Sequence, residues 1–200
     1  MTLSNRSLRF VGVAVAGAII LTATLVFGHG GSAAAGSDYL SRAKQAFAVF
    51  ARDAAPEQTG IAARVMAMDQ GGFGLDASTI REARSTSESQ VHIVLGRNVV
   101  CMLSIEARKV GTSGACASLD SVADPSHPMI SYDGLADGSN RVTGLFADGV
   151  GLVHVETAQG DIDAAVENNV LSISSKSAVR ALRWTVPGGG EIRSPAPADG

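Results

Sequence analysis

From Val91 to Ser174, apolar residues recur at every second position in short runs, and each run stops at Gly, Asn or Asp. A period of two is the spacing of one face of a β-strand, so this stretch is confined to sheet. Val91, Ile93 and Leu95 fall on one side, and Gly96-Arg97-Asn98 supplies a turn. Val99, Cys101, Leu103 and Ile105 share the next face, with Val100, Met102, Ser104 and Glu106 opposite them. Two such runs around a short Gly/Asn turn predict a hairpin. The face carrying Cys101 is continuous and apolar, and is expected to be the buried one.

The rhythm repeats downstream. Val142 to Phe146 leads to a turn at Asp148-Gly149, and Val153 and Val155 lead to a turn at Gln159-Gly160-Asp161. Ile162, Ala164 and Val166 lead to Glu167-Asn168-Asn169, and Leu171 and Ile173 follow. Strands at this spacing, with turn residues between them, predict a compact antiparallel sheet domain and not an alternating α/β fold.

The first nine residues are polar and carry Arg6 and Arg9 with no acid. Phe10 to Gly28 then runs 19 residues without a charge. As a helix this run is about 28 Å long, close to the ~30 Å hydrocarbon core of a bilayer. No Lys or Arg follows before Arg42, so the positive-inside rule puts residues 1–9 in the cytoplasm and the rest outside. Two readings stand: an uncleaved single-pass transmembrane anchor, or a signal sequence cleaved near Ala33-Ala34-Ala35, leaving a secreted domain. The run is longer than a usual signal core, which favours the anchor. Residues 29–37 read as a linker.

Asp38 to Asp53 reads as an amphipathic helix, with Leu40, Ala43, Phe47 and Phe50 on one stripe and Ser37 or Asp38 as its cap. Thr59 to Asp69 is a weaker helix, with Ile61, Val65 and Met68 aligned. Ile80 to Arg84 suggests an edge strand. Leu182, Trp184 and Val186 alternate in a last strand, which Pro187-Gly188-Gly189-Gly190 stops. Residues 187–200 read as a disordered tail. The fold class is α+β, mostly β, with an extracytoplasmic domain over residues 38–186.

Beyond residue 36 the chain carries 14 basic against 19 acidic residues, a net charge of −5. That argues against nucleic-acid binding, which needs a basic footprint. Two cysteines and no third, outside the cytoplasm, predict one disulfide between Cys101 and Cys116; the alternative is a pair of buried thiols.

Sequence settings for catalysis are poor. Gly111-Thr112-Ser113-Gly114 lacks the spacing of a nucleophile elbow. His92 and His154 fall on the polar sides of their strands, where a solvated imidazole is expected. Asp124, His127, Asp133 and Asp137 sit in Asp-Pro, His-Pro and Asp-Gly pairs, which are turn chemistry before they are metal ligands. Asp148-Gly149 and Glu167-Asn168-Asn169 could form a recognition edge, although turns that need positive φ explain the same residues. No catalytic residue, metal ligand or cofactor fingerprint is assigned.

One ordered set of segments resembles a known kind of protein. Ala46-Phe47-Ala48-Val49-Phe50-Ala51-Arg52 is followed by Gly74-Leu75-Asp76-Ala77-Ser78-Thr79, by Val100-Cys101 and Gly114-Ala115-Cys116-Ala117. Gly144-Leu145-Phe146-Ala147-Asp148-Gly149-Val150 and Val166-Glu167-Asn168-Asn169-Val170 complete it. The set, over most of residues 46–174, resembles exported or membrane-anchored actinobacterial domains of unknown function. The resemblance implies an extracytoplasmic, β-rich fold with one disulfide, and supplies no catalytic residue. The expected role is a non-catalytic module held in the membrane by its N-terminal helix and binding an envelope protein, a wall component or a regulatory partner. The alternatives are a cell-envelope hydrolase and a structural spacer.

Overall fold

The computed structural model describes residues 32–53, 60–69, 72–87, 89–106, 112–135 and 137–197. The apolar run Phe10–Gly28 lies outside the described residues; among those described, no helix is long and apolar enough to cross a membrane.

α1 spans Ser32–Ala46. It starts earlier than the expected Asp38, within the segment read as a linker, because Ala33-Ala34-Ala35 has the strongest helix propensity of any residue type. It also ends earlier than expected. Phe47 is extended, with φ −140° and ψ 107°, and a 3-10 helix follows over Ala48–Ala51. Phe47 and Phe50 are both 0% exposed, and their rings meet edge to face at 6.3 Å. α2, Ile61–Met68, follows the expected bounds closely.

The strands are antiparallel, as expected, and among the described residues they form three sheets. In the first sheet β1 (Asp76–Ser85), β2 (Ser89–Leu95), β3 (Val99–Glu106) and β4 (Thr112–Ser118) run as a meander. The four-residue α3, Leu119–Val122, follows β4. The middle sheet has the order β5-β6-β9, made from Met129–Gly134, Asn140–Leu145 and Val170–Ser175. The third has the order β11-β10-β7-β8, with β7 Leu152–Thr157, β8 Gly160–Ala165, β10 Val179–Thr185 and β11 Glu191–Pro195.

These sheets are layers. Val91, Ile93, Leu95, Val100 and Met102 of the first sheet pack with Met129, Leu145 and Val170 of the middle one, and Phe47, Val49 and Phe50 join the same core. Val142 and Leu171 point the other way, into a second core with Val153, Val155, Leu182 and Trp184. Val65 of α2 covers the far side of the first sheet, over Leu75, Val94, Cys101 and Leu103. The first sheet is therefore buried on both faces. The expectation that only the Cys101 face would be buried is corrected: Val100 and Met102 on the other face are as dry as Cys101 and Leu103. A strand covered by a helix on one side and a sheet on the other has no solvated face, so its pattern stops alternating.

Cys101 and Cys116 stand directly opposite each other in the β3–β4 ladder and are joined by a 2.03 Å disulfide. The segment before Cys116 is strand β4 from Thr112, held by pairing and not by its own β-propensity. At the C-terminus, residues 191–195 are not part of a disordered tail. Val186 and Gly190 close a turn with Val186 N–H donating to Gly190 O at 2.9 Å, and β11 then pairs with β10 from Glu191↔Thr185 to Pro195↔Ala181.

Gly149 shows why the β6–β7 turn needs glycine. Its φ is +91°, and a Cβ there would lie 2.4 Å from Pro187 Cγ. Trp184 fixes the end of the sandwich, because its Nε1–H donates to Pro125 O at 2.9 Å while its ring meets Phe146 edge to face at 5.6 Å.

Candidate functional site

Two clusters gather the residues singled out above. The first is a clasp on the N-terminal helix. Where α1 ends, the chain leaves free carbonyls behind and free N–H groups ahead in the 3-10 helix. Asp148 serves both. Its N–H donates to Ala46 O at 2.8 Å, and its Oδ1 accepts the N–H of Ala48 at 2.9 Å. Asn169 takes the next position: its Oδ1 accepts the N–H of Val49 at 3.0 Å. Its Nδ2 donates to Phe146 O at 3.0 Å and to Asp148 Oδ1 at 2.8 Å. Asn168 reaches the first sheet, donating to Ala83 O at 2.9 Å. Asn168 and Asn169 have φ of 49° and 69°, a region that Asn tolerates better than other side chains.

The pair Asp148-Gly149 and Asn168-Asn169 does converge, but inward. The Asp148 and Asn169 side chains are spent on the backbone after Phe47 and that of Asn168 on Ala83 O, while Glu167 stays exposed, 3.8 Å from Arg84. Positive φ alone, the simpler explanation, accounts for the backbone but not for the side-chain bonds.

The second cluster lies on the outer face of the third sheet. Arg193, Arg183, His154 and Asp163 stand opposite one another across β11, β10, β7 and β8. Two arginines side by side repel, and Glu156 resolves this by bonding both: Arg193 Nη2 at 2.6 Å and Arg183 Nε at 2.8 Å. The Arg193 hydrogen bond, followed by the charges of both guanidiniums, holds the Glu156 carboxyl below the usual range. Arg183 also reaches Asp161 at 3.1 Å and Glu191 at 3.7 Å. His154 Nδ1 lies 2.5 Å from Asp163 Oδ1, with the imidazole 38% exposed.

A carboxylate on Nδ1 orients an imidazole as in a general base. Among the described residues, no serine, threonine or cysteine hydrogen-bonds to His154, so the pair stands without a nucleophile. A signal for this pairing was present in the sequence. A two-residue turn at Ala158-Gln159 places His154 opposite Asp163; a turn one residue later breaks that register.

The remaining candidates are dispersed. His92 is 0% exposed, which corrects its expected place on a solvated strand face: α2 covers that face. Neither ring nitrogen has a hydrogen-bond partner. Burial lowers its pKa, and Glu82 across the β1–β2 ladder opposes the shift. His127 Nδ1 lies 3.1 Å from Asp124 Oδ2 on the surface, and Asp124 Oδ1 accepts the Ser126 N–H at 2.8 Å. Asp137 Oδ1 accepts the Ser139 hydroxyl at 2.6 Å and its N–H at 3.0 Å. These are side-chain-closed turns. Asp133 lies in β5 opposite Arg141. Among the described residues, no three His, Cys, Asp or Glu side chains come close enough to hold a metal ion.

Comparison with protein-family models, with curated proteins and with solved structures finds no match.

Proposed function

We propose that this chain is a membrane-anchored extracytoplasmic module that works by contact with an envelope protein, a wall component or a regulatory partner. Phe10–Gly28 is the anchor in this reading, with the N-terminus in the cytoplasm. The clasp is the observation that carries it. The segment just after α1 is built into the domain, because Phe47 and Phe50 are core residues and Asp148 and Asn169 cap the chain between them. A domain whose N-terminal segment is part of its own core is suited to presenting a rigid surface. The surface we assign is the outer face of the third sheet, where Glu156 already pairs both arginines. Charges held in place by their neighbours lose little side-chain entropy on contact.

The test is photo-crosslinking of the full-length protein in its native membrane. A crosslinker at Ala165, on that face, is expected to capture a discrete partner, and one at Ala63, on exposed α2, is not. Equal capture at both positions, or none at Ala165, overturns the assignment.

The His154–Asp163 pair favours a second reading, an envelope-directed hydrolase. Turnover of an envelope substrate that is lost in His154→Ala, with no crosslinked partner, would establish that reading in place of the first.

A further inference from the structure

We infer that a water molecule is a resident part of the interface between the first and middle sheets, bound by Ser104 and Thr143. The two facing surfaces grade along their length. On the first sheet, Val100 and Met102 give way to Ser104; on the middle sheet, Leu145 gives way to Thr143, and Met129 to Ser131 and Asp133. Where the residues are apolar the layers close. Where the hydroxyls begin, a cavity of about 10 Å³ remains, with Ser113, Ser131 and Asp133 also on its wall.

Ser104 is 5% exposed and Thr143 1% exposed, and neither hydroxyl oxygen has a partner within hydrogen-bond reach. Buried hydroxyls in folded proteins are almost always bonded, because an unpaired one keeps its desolvation cost without return. One water needs roughly 10–15 Å³ of such space and two to four polar neighbours. The cavity reaches the lower end of that volume, and the two residues that carry the orphan hydroxyls are part of its lining.

A cation is the alternative occupant of an oxygen-lined site. The single wall carboxylate, Asp133, stands opposite Arg141, which is 6% exposed and pairs with Glu106 at 3.5 Å. A buried guanidinium on the same sheet, next but one to Thr143 in β6, repels a second positive charge. A neutral ligand that both donates and accepts fits these hydroxyls.

The experiment is a high-resolution crystal structure of the full chain, joined to oxygen-17 relaxation dispersion in solution. The expected result is a density peak about 2.7–3.2 Å from both Ser104 Oγ and Thr143 Oγ1. Solution data should show a water that outlives molecular tumbling, lost in Thr143→Val. Ser104→Ala with Thr143→Val should cost less than the two single changes added together, because both singles disturb the same water. Should the double variant fail to fold, Thr143→Val and the wild-type relaxation signal decide the matter. An empty cavity, strictly additive substitutions, or a peak with ligand distances of about 2.3–2.6 Å, as for a hard cation, would overturn the inference.

Discussion

Asn169 Oδ1 accepts the backbone N–H of Val49 at 3.0 Å across a sequence separation of 120 residues. That bond joins the turn before β9 to the segment that follows α1. It closes the chain around Phe47 and Phe50 and turns α1 into part of the core. Removing the side chain alone is possible with glycine, which accepts the φ of 69° without strain. Asn169→Gly leaves Val49 N–H and Phe146 O without that partner, and is expected to destabilise by about 1–3 kcal/mol. Urea denaturation that shows no change in midpoint would remove the clasp from this account.

Phe47 is expected to be the most sensitive core position of the N-terminal segment. It is 0% exposed and touches Phe50 edge to face. Phe47→Ala should cost about 3–5 kcal/mol, the range for buried aromatic truncations. An exposed control in the same segment, Lys44→Ala, should change stability by less than about 0.5 kcal/mol. Similar losses at both sites would mean that the segment is not packed as described.

The Cys101–Cys116 bridge closes a separation of 15 residues. In the chain-entropy model such a loop contributes about 3 kcal/mol. Cys101 lies dry beneath α2, so alanine is a cleaner replacement than serine, whose hydroxyl would be stranded there. Cys101→Ala with Cys116→Ala should lose about 2–5 kcal/mol. Non-reducing peptide mapping should recover the two cysteines in one linked peptide. Two alkylatable thiols in the folded protein would contradict the structure.

His92 sets an acid response. Its folded pKa lies below the ordinary value of 6.5, because burial opposes the charged ring more than Glu82 favours it. The unfolded chain therefore binds a proton that the folded chain refuses. Stability is full above pH ~6.5 and falls as pH drops from there toward the depressed folded pKa. His92→Leu should remove that slope and, since both ring nitrogens are unpaired, cost little or even stabilise. The check is denaturation at a series of pH values between about 5 and 7.5. An unchanged slope in the variant would clear His92 of the effect.

A second loss of stability is expected at lower pH, from the surface carboxylates. Asp124 is held down first by the Ser126 N–H, Asp137 first by the Ser139 hydroxyl, and Glu156 first by Arg193. For each, the folded pKa is the lower one, so its contribution is present above the unfolded value near 4 and lost as pH falls through the folded value. The Glu156 part should shrink in Arg193→Ala, read as a weaker pH dependence below about pH 4.5.

Much of this architecture is written locally. Alternation with period two marks β2, β3, β6, β7 and β10, because neighbouring side chains on a strand point to opposite faces whatever the strand pairs with. Asn98, Asn168, Asn169 and Gly149 mark turns for a similarly local reason, since their backbones take positive φ. The cysteine count pointed to one bridge without any geometry. β4 and β5 carried weaker marks: Thr112–Ser118 has few β-branched residues, and Met129–Gly134 was hidden among turn-forming Asp and Pro. Their strands exist because a neighbour supplies the ladder.

What the tertiary structure alone decided is where each face went. His92 and Val94 share a face, but only the placement of α2 over it makes that imidazole buried instead of solvated. Asp148 and Asn169 read as turn residues, but only their meeting at the end of α1 turns them into a clasp. Periodicity is a property of neighbours along the chain, and burial is a property of whatever arrives from elsewhere in it. That is why the strands could be read from Val91 onward, while the layers and the clasp could not.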